Sequence, residues 1–295
     1  MTERRPIDGT AFGVMLLLTV LWGFQQVAIK SIAADVSLVM QGAIRAGIAT
    51  TLLVAWARLR RVRLFNPDGS LVPGLVAGAL FGVEFVFIYA GLGHTNASRM
   101  AVFIYLTPPL TALGLHFLVR AERLSARQWA GVALAFAGIV LAFLDGFLAG
   151  HATWVGDLCG IVAAVLWAAT TIVIRTSRLA SVPAEKTAFY QIGLSFPILL
   201  AASIFYFGEP GVVRLSPAAL ASLAYQSVVI AFASYLAWFW LLTRYLAARL
   251  SVLASLTPLF GVLSGVAFLS EPVGARFLLA ALLVGGGIAL VNLRR

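Results

Sequence analysis

LWGFQQVAIK at residues 21–30 and LWAATTIVIR at residues 166–175 are two versions of one apolar pattern, and the fold follows from how they are related. At an offset of 145, Leu21-Trp22 falls on Leu166-Trp167 and Lys30 on Arg175. At an offset of 150, Ala97-Ser98-Arg99 meets Ala247-Ala248-Arg249, and Leu106-Thr107-Pro108 meets Leu256-Thr257-Pro258. One residue less brings Glu122 onto Glu271, Ala126-Arg127 onto Ala275-Arg276, and Gly138-Ile139 onto Gly287-Ile288. These markers bracket five apolar spans in each half. A repeat with an odd number of spans sends its second copy into the membrane from the opposite side. Inverted repeats of that kind build secondary transporters, whose solute site lies near the midplane where the copies meet.

Composition agrees. The 295 residues are 61% hydrophobic and 11% charged, with mean hydropathy +0.99, too apolar for a soluble domain. Runs of about 20 apolar residues read as helices over 11–29, 38–57, 71–92, 97–119, 125–144, 155–174, 187–206, 217–241, 248–269 and 273–292. The expected fold is an all-α integral membrane protein with ten transmembrane helices in a 5+5 inverted repeat. The boundary falls near Gly150, giving a first repeat over 1–149 and a second over 150–295.

The net charge of +10 invites a nucleic-acid partner, and its distribution argues against one. With a cytoplasmic N-terminus, inner segments hold sixteen basic residues, from Arg4 and Arg5 to Arg294 and Arg295. Outer links hold four: Lys30, Arg99, Arg214 and Arg276. That is the positive-inside bias with both termini cytoplasmic. The first span resembles a signal peptide, but its match to span 155–174 implies that it stays. Cys159 is the only cysteine, a buried, inert thiol with no disulfide partner in the chain.

Polar groups inside hydrocarbon are costly, so they are the leads to function. Trp22, Gln25 and Gln26 share one helical face near the middle of span 1, and the repeat supplies Trp167, Thr170 and Thr171 at the same spacing. Each copy thus offers an indole and two hydrogen-bonding side chains at one depth, the mixture a solute pocket needs. Such groups also join helices to one another.

A second feature is Thr107-Pro108-Pro109 in span 4 and Thr257-Pro258 in span 9. Proline leaves the carbonyl four residues earlier without its helical partner, here those of Ile104, Tyr105 and Ala254. Such breaks need neighbours, water or ligand. Thr107, Pro108, Thr257 and Pro258 are the candidate hinges, with the aligned Tyr105 and Ser255 as linings. A static packing kink is the competing reading.

Arg45 in span 2 and Glu84 in span 3 each lie roughly 12 Å inside the outer boundary at a rise of ~1.5 Å per residue. An unpaired charge at a helix centre costs ~2.5–3.5 kcal/mol, so equal depth suggests a buried ion pair. Alternatively, Arg45 attracts a substrate carboxylate and Glu84 takes a proton or an amine. The repeat has Gln191 and Ser234 at these places. Gly74, Gly78 and Gly82 form a close-packing stripe, and Gly131, Gly138 and Gly285 to Gly287 read the same way. Tyr89, Tyr235 and Trp238 are further pocket candidates. His94, His116 and His151 lack metal-ligand spacing, and no P-loop, GxGxxG, GxSxG or HExxH motif is present. No cofactor, nucleotide or metal is expected, and active transport would draw on an ion or solute gradient.

Read together, those residues resemble the drug/metabolite transporter superfamily in its two-copy EamA branch, over about 13–143 and 158–292. The resemblance rests on Leu-Trp in the first helix of each copy, Arg45 early in the second, Thr-Pro in the fourth, and Glu122 and Glu271 before the glycine-bearing fifth. It extends, within that branch, to the YddG amino-acid exporters. It implies ten helices around a central cavity, spans 5 and 10 at the periphery, alternating access, and export of amino acids or related metabolites across a bacterial inner membrane. The small multidrug branch carries a glutamate in its first helix. Spans 1 and 6 here have no such residue, which leaves Glu84 expected as the only membrane-embedded carboxylate and weakens proton coupling.

The expected function is outward secondary transport of small amphipathic metabolites, most of all amino acids, with broad specificity and no enzymatic activity. The partners are a small-molecule solute and the lipid bilayer. Rival readings are a multidrug or dye exporter, an intramembrane enzyme, and a channel-like pore. The enzyme lacks a paired nucleophile and base within the spans.

Overall fold

The computed structural model describes residues 8–118, 123–148, 153–245, 253–254 and 256–292. Twelve α-helices carry these residues: α1 (Gly9–Ser31), α2 (Leu38–Leu59), α3 (Leu71–Leu92), α4 (Ala97–Ile104), α5 (Thr107–Leu118), α6 (Ala126–Leu148), α7 (Thr153–Thr176), α8 (Ala184–Ala201), α9 (Pro217–Ala224), α10 (Tyr235–Arg244), α11 (Thr257–Leu269) and α12 (Ala275–Asn292). A π-helical turn, Ala202–Tyr206, extends α8, and a longer one, Tyr225–Ser234, joins α9 to α10. Helix is the form that satisfies every backbone group inside its own segment, which lipid demands.

Seven stretches are long and apolar enough to cross a membrane: Gly9–Ser31, Leu38–Leu59, Leu71–Leu92, Ala97–Leu118, Thr153–Thr176, Ala184–Tyr206 and Pro217–Trp238. Ala126–Ala142, Thr257–Leu269 and Ala275–Leu290 are shorter apolar helices among the described residues. Among the described residues, full membrane length is therefore met by seven of the ten expected spans.

Local sequence sets several starts. Asp8 Oδ1 accepts from Ala11 N–H at 2.8 Å and caps α1, and Ser216 caps α9 ahead of Pro217 at its first turn. The proline pair in the fourth span breaks it: helix stops at Ile104, Tyr105 and Leu106 form a turn, and α5 starts at Thr107. Neighbouring threonines satisfy two of the carbonyls the prolines free. Thr107 Oγ1 donates to Ile104 O at 2.7 Å, and Thr257 Oγ1 donates to Ala254 O at 2.8 Å.

Contacts between the halves come in exchange-related pairs, and glycines show their direction. A Cβ on Gly138 of α6 would meet Ala280 O at 2.7 Å and Val284 N at 2.9 Å. A Cβ on Gly287 of α12 would meet Gly131 O and Ala135 N, each at 2.5 Å. Gly287, Ala280 and Val284 are the repeat partners of Gly138, Gly131 and Ala135, so these two equivalent helices cross antiparallel about a local two-fold. The other equivalent pair does the same. Gly47 of α2 faces Phe196 of α8, and Gly193 of α8 faces Thr50 of α2. The stripe of Gly74, Gly78 and Gly82 packs on Tyr190, Leu194, Ser195 and Ile198 of α8, the close-packing role its spacing suggests.

The upper end of the bundle is defined as the one where α2 and α4 begin. There Asp35 holds Arg214 at 2.8 Å and Ser216, while Lys30 Nζ donates to Thr95 O at 2.5 Å. At the lower end, Lys186 Nζ lies 2.8 Å from Asp68 Oδ2 and 2.9 Å from Asn66 Oδ1.

Candidate functional site

Between α2, α3 and α8 lies a small cavity, with room for about one water molecule, lined by Gly42, Arg45, Ala46, Phe81, Phe85, Ile192, Ser195 and Leu199. It draws on both halves, beside the antiparallel crossing of α2 and α8. Arg45 is 3% exposed. Its guanidinium sits 4.2 Å from the Phe85 ring centre and donates to Tyr89 Oη at 3.4 Å and Tyr235 Oη at 3.3 Å. Tyr89 donates to Gln226 Oε1 at 3.0 Å, and Gln226 Nε2 donates to Gln41 Oε1 at 3.0 Å. The line ends on the backbone, where Gln41 Nε2 donates to Val36 O at 2.9 Å.

The expected Arg45–Glu84 ion pair does not form. Glu84 is 2% exposed, and its Oε2 has no hydrogen-bond partner. The reason is rotational. Glu84 lies two helical turns before Gly91, whose face of α3 packs on Gly156 and Cys159 of α7. Phe85 and Tyr89 lie on the side that reaches Arg45. Gln26 Oε1 and Gln191 Nε2, the latter at the repeat position of Arg45, are likewise buried without partners.

Glu84 is also not the only embedded carboxylate. Asp157, in the first turns of α7, is fully buried and pairs with Arg99 at 2.5 Å. Thr95 Oγ1 donates to the same carboxylate at 2.7 Å. Arg99, assigned to an outer link by its sequence, is a buried residue of α4. Asp157 lies within the expected span 155–174, so the reading of that span as free of acids, with Glu84 as the only embedded carboxylate, is corrected here.

The other candidates fall into two groups. Tyr89, Tyr105, Trp167 and Tyr235 share the main core with Phe81 and Phe85. Tyr105, at the break between α4 and α5, meets Trp167 edge to face with ring centres 5.9 Å apart. Trp22 and Trp238 belong instead to a smaller core with Met15, Leu18 and Leu241. Their rings meet at 5.7 Å, and Trp22 Nε1 donates to Ser234 Oγ at 2.9 Å. Gln25 and Gln26 are buried on the same helix. Thr170 and Thr171 direct their hydroxyl protons to Leu166 O and Trp167 O of their own helix, so they can offer only acceptor oxygens to a solute. Thr107, Pro108, Thr257 and Pro258 stand at the helix breaks described above. Ser255 lies outside the described residues. Among the described residues, no group of histidine, cysteine and carboxylate side chains could hold a metal ion.

Comparison with known proteins follows this geometry. The EamA-like transporter family matches the chain twice, over residues 10–144 and 154–293. An uncharacterized transporter of Archaeoglobus fulgidus is 31% identical over 76% of this chain and 77% of its own length. A probable amino-acid metabolite efflux pump of Escherichia coli is 25% identical over 92% of this chain and 91% of its own. One crystal structure superimposes with a TM-score of 0.67 over 95% of each chain, at 25% identity.

Proposed function

The chain belongs to the EamA-like transporter family, and from that premise we propose that it exports amino acids or closely related small metabolites by alternating access. Its fold in this reading is ten membrane spans in a 5+5 inverted repeat, with repeats over 1–149 and 150–295. The antiparallel crossings of α2 with α8 and of α6 with α12 support the inversion, because equivalent helices of non-inverted copies would run parallel. The basic bias of the sequence makes the upper end the outer face of a bacterial inner membrane, with both termini cytoplasmic.

The observation that carries the solute assignment is Arg45: a buried guanidinium on a cavity wall, bonded to neutral hydroxyls at 3.3–3.4 Å and to no carboxylate. A buried cation with no carboxylate in contact is costly, and a carboxylate-bearing solute supplies that contact. Bidentate geometry makes Arg the suited partner for that group. Glu84 does not line the cavity but lies within electrostatic reach of Arg45 and Tyr235, and its free Oε2 is the acceptor for the solute's ammonium in this reading. Phe81, Phe85, Tyr89, Tyr105, Trp167 and Tyr235 form apolar walls; Trp22 and Trp238, with Gln25, Gln26, Thr170, Thr171 and Ser255, extend the path. Walls of that kind discriminate weakly, at ~1–3 kcal/mol per methylene, so specificity is broad. A hydrophobic-cation exporter fits less well, since Arg45 would repel its cargo. Flux into liposomes containing only the purified protein, with labelled amino acids and with hydrophobic cations as competitors, tests the proposal. Saturable amino-acid flux indifferent to the cations is expected; flux of the cations alone would overturn it.

A further inference from the structure

α4 begins at Ala97 without a cap of its own, for the Asn96 side chain makes no capping hydrogen bond. All eight of its residues are buried, so its first N–H groups need acceptors within the protein. Glu271, from the connection between α11 and α12 in the other half, supplies them. Its Oε1 accepts from Ala97 N–H at 2.7 Å, and its Oε2 accepts from Ser98 N–H at 2.9 Å and Ser98 Oγ–H at 2.6 Å. Gly265 makes the room: a side chain there would strike both Ser98 Oγ and Glu271 Oε2.

α2 is also capped from the second half, by Glu209, whose carboxylate accepts from Val39 N–H and Met40 N–H at 3.0 Å each. The related place at the lower end is the start of α8, where Lys186 stands at the repeat position of Met40. Asn66 and Asp68 hold it at the same time. α4 differs from the unbroken α2 at its far end, which is the break at Tyr105 and Leu106, so it is a half-helix held at its start and jointed at its end. Tyr105, on the joint, packs against Trp167 in the central core.

We propose that Glu271 is the latch of the outer gate: its carboxylate holds the start of α4 against the second half, and its withdrawal lets α4 swing about Tyr105 and Leu106 to open the site outward. This rests on the transporter reading above. The test uses thiol accessibility in the reconstituted full chain carrying Cys159→Ala. Ala101→Cys places a thiol on α4 where it faces Gly261 of α11, and Leu115→Cys places one on α5 toward the lower end. Glu271→Ala should raise upper-side labelling of Ala101→Cys by an impermeant reagent about tenfold, the ~1.4 kcal/mol of one lost helix cap. It should lower labelling of Leu115→Cys from the other side. Equal rises at both sites, or no change at either, would overturn the latch. Labelling needs no solute, so a chain that transported nothing would still report on the gate.

Discussion

Arg45 donates to the Tyr89 hydroxyl at 3.4 Å, while Glu84, five residues before Tyr89 on the same helix, takes no part. Tyr89 hands the bond on to Gln226 of the second half, and Gln226 returns it to Gln41, one helical turn before Arg45. Neutral partners thus fix the guanidinium without neutralising it. Its charge stays available at the wall of a cavity that both halves build.

Arg45→Gln should weaken amino-acid binding at least tenfold, since hydrogen bonds to charged groups contribute ~1.5–3 kcal/mol. The corresponding methyl esters, which lack the carboxylate, should lose little. Competition by acid and ester for flux into liposomes measures the difference, and equal losses would remove Arg45 from the carboxylate.

Glu84→Gln is isosteric and should fold. It is expected to raise the KM for solutes with a free amine and to leave the pH profile of flux unchanged. A flattened profile with an unaltered KM would assign Glu84 to a proton instead.

Thr107→Ala combined with Pro108→Ala removes one of the two prolines at the break between α4 and α5 and the hydroxyl that satisfies Ile104 O. The variant should slow transport several-fold while folded yield falls much less. Parallel losses in the two measurements would mark the break as static packing.

Gly287→Ala would push a methyl to 2.5 Å from Ala135 N and Gly131 O, backbone atoms that cannot give way singly. Overpacking of this kind costs roughly 1–3 kcal/mol. Gly285→Ala, with nothing within 4 Å of the new Cβ, is the control. Thermal unfolding in detergent should separate them by several degrees.

Lys186 and Ser70 hold the Asp68 carboxyl well below the usual carboxylate range. A depressed folded-state value means the bond stabilises the protein above the ordinary carboxylate pKa and is lost as pH falls beneath it. The thermal stability gap between wild type and Asp68→Asn should therefore be constant near neutrality and shrink below about pH 4. A gap that persisted at acid pH would contradict the pairing.

Apolar span length made the helices legible, and the offsets of 145 to 150 made the pairing of equivalent helices legible. Glycine spacing forecast the face on which α3 meets α8. The Thr-Pro pairs were legible as places where the helix breaks; the threonine's bond to the freed carbonyl was not. Partner choice was hidden. Glu84 and Arg45 share a depth yet point to different neighbours. Trp22 and Tyr105, grouped by composition, sit in separate cores. Asp157 and Arg99, unremarkable near span ends, make a buried ion pair.

From its residues alone this chain is a membrane protein of two repeated helical halves, because burial in lipid writes itself into composition and length. The rotation of each helix about its axis, and the angle at which it crosses its neighbours, decide which polar groups meet. Those quantities arise from packing summed over many residues far apart in sequence, and only the tertiary structure carries them.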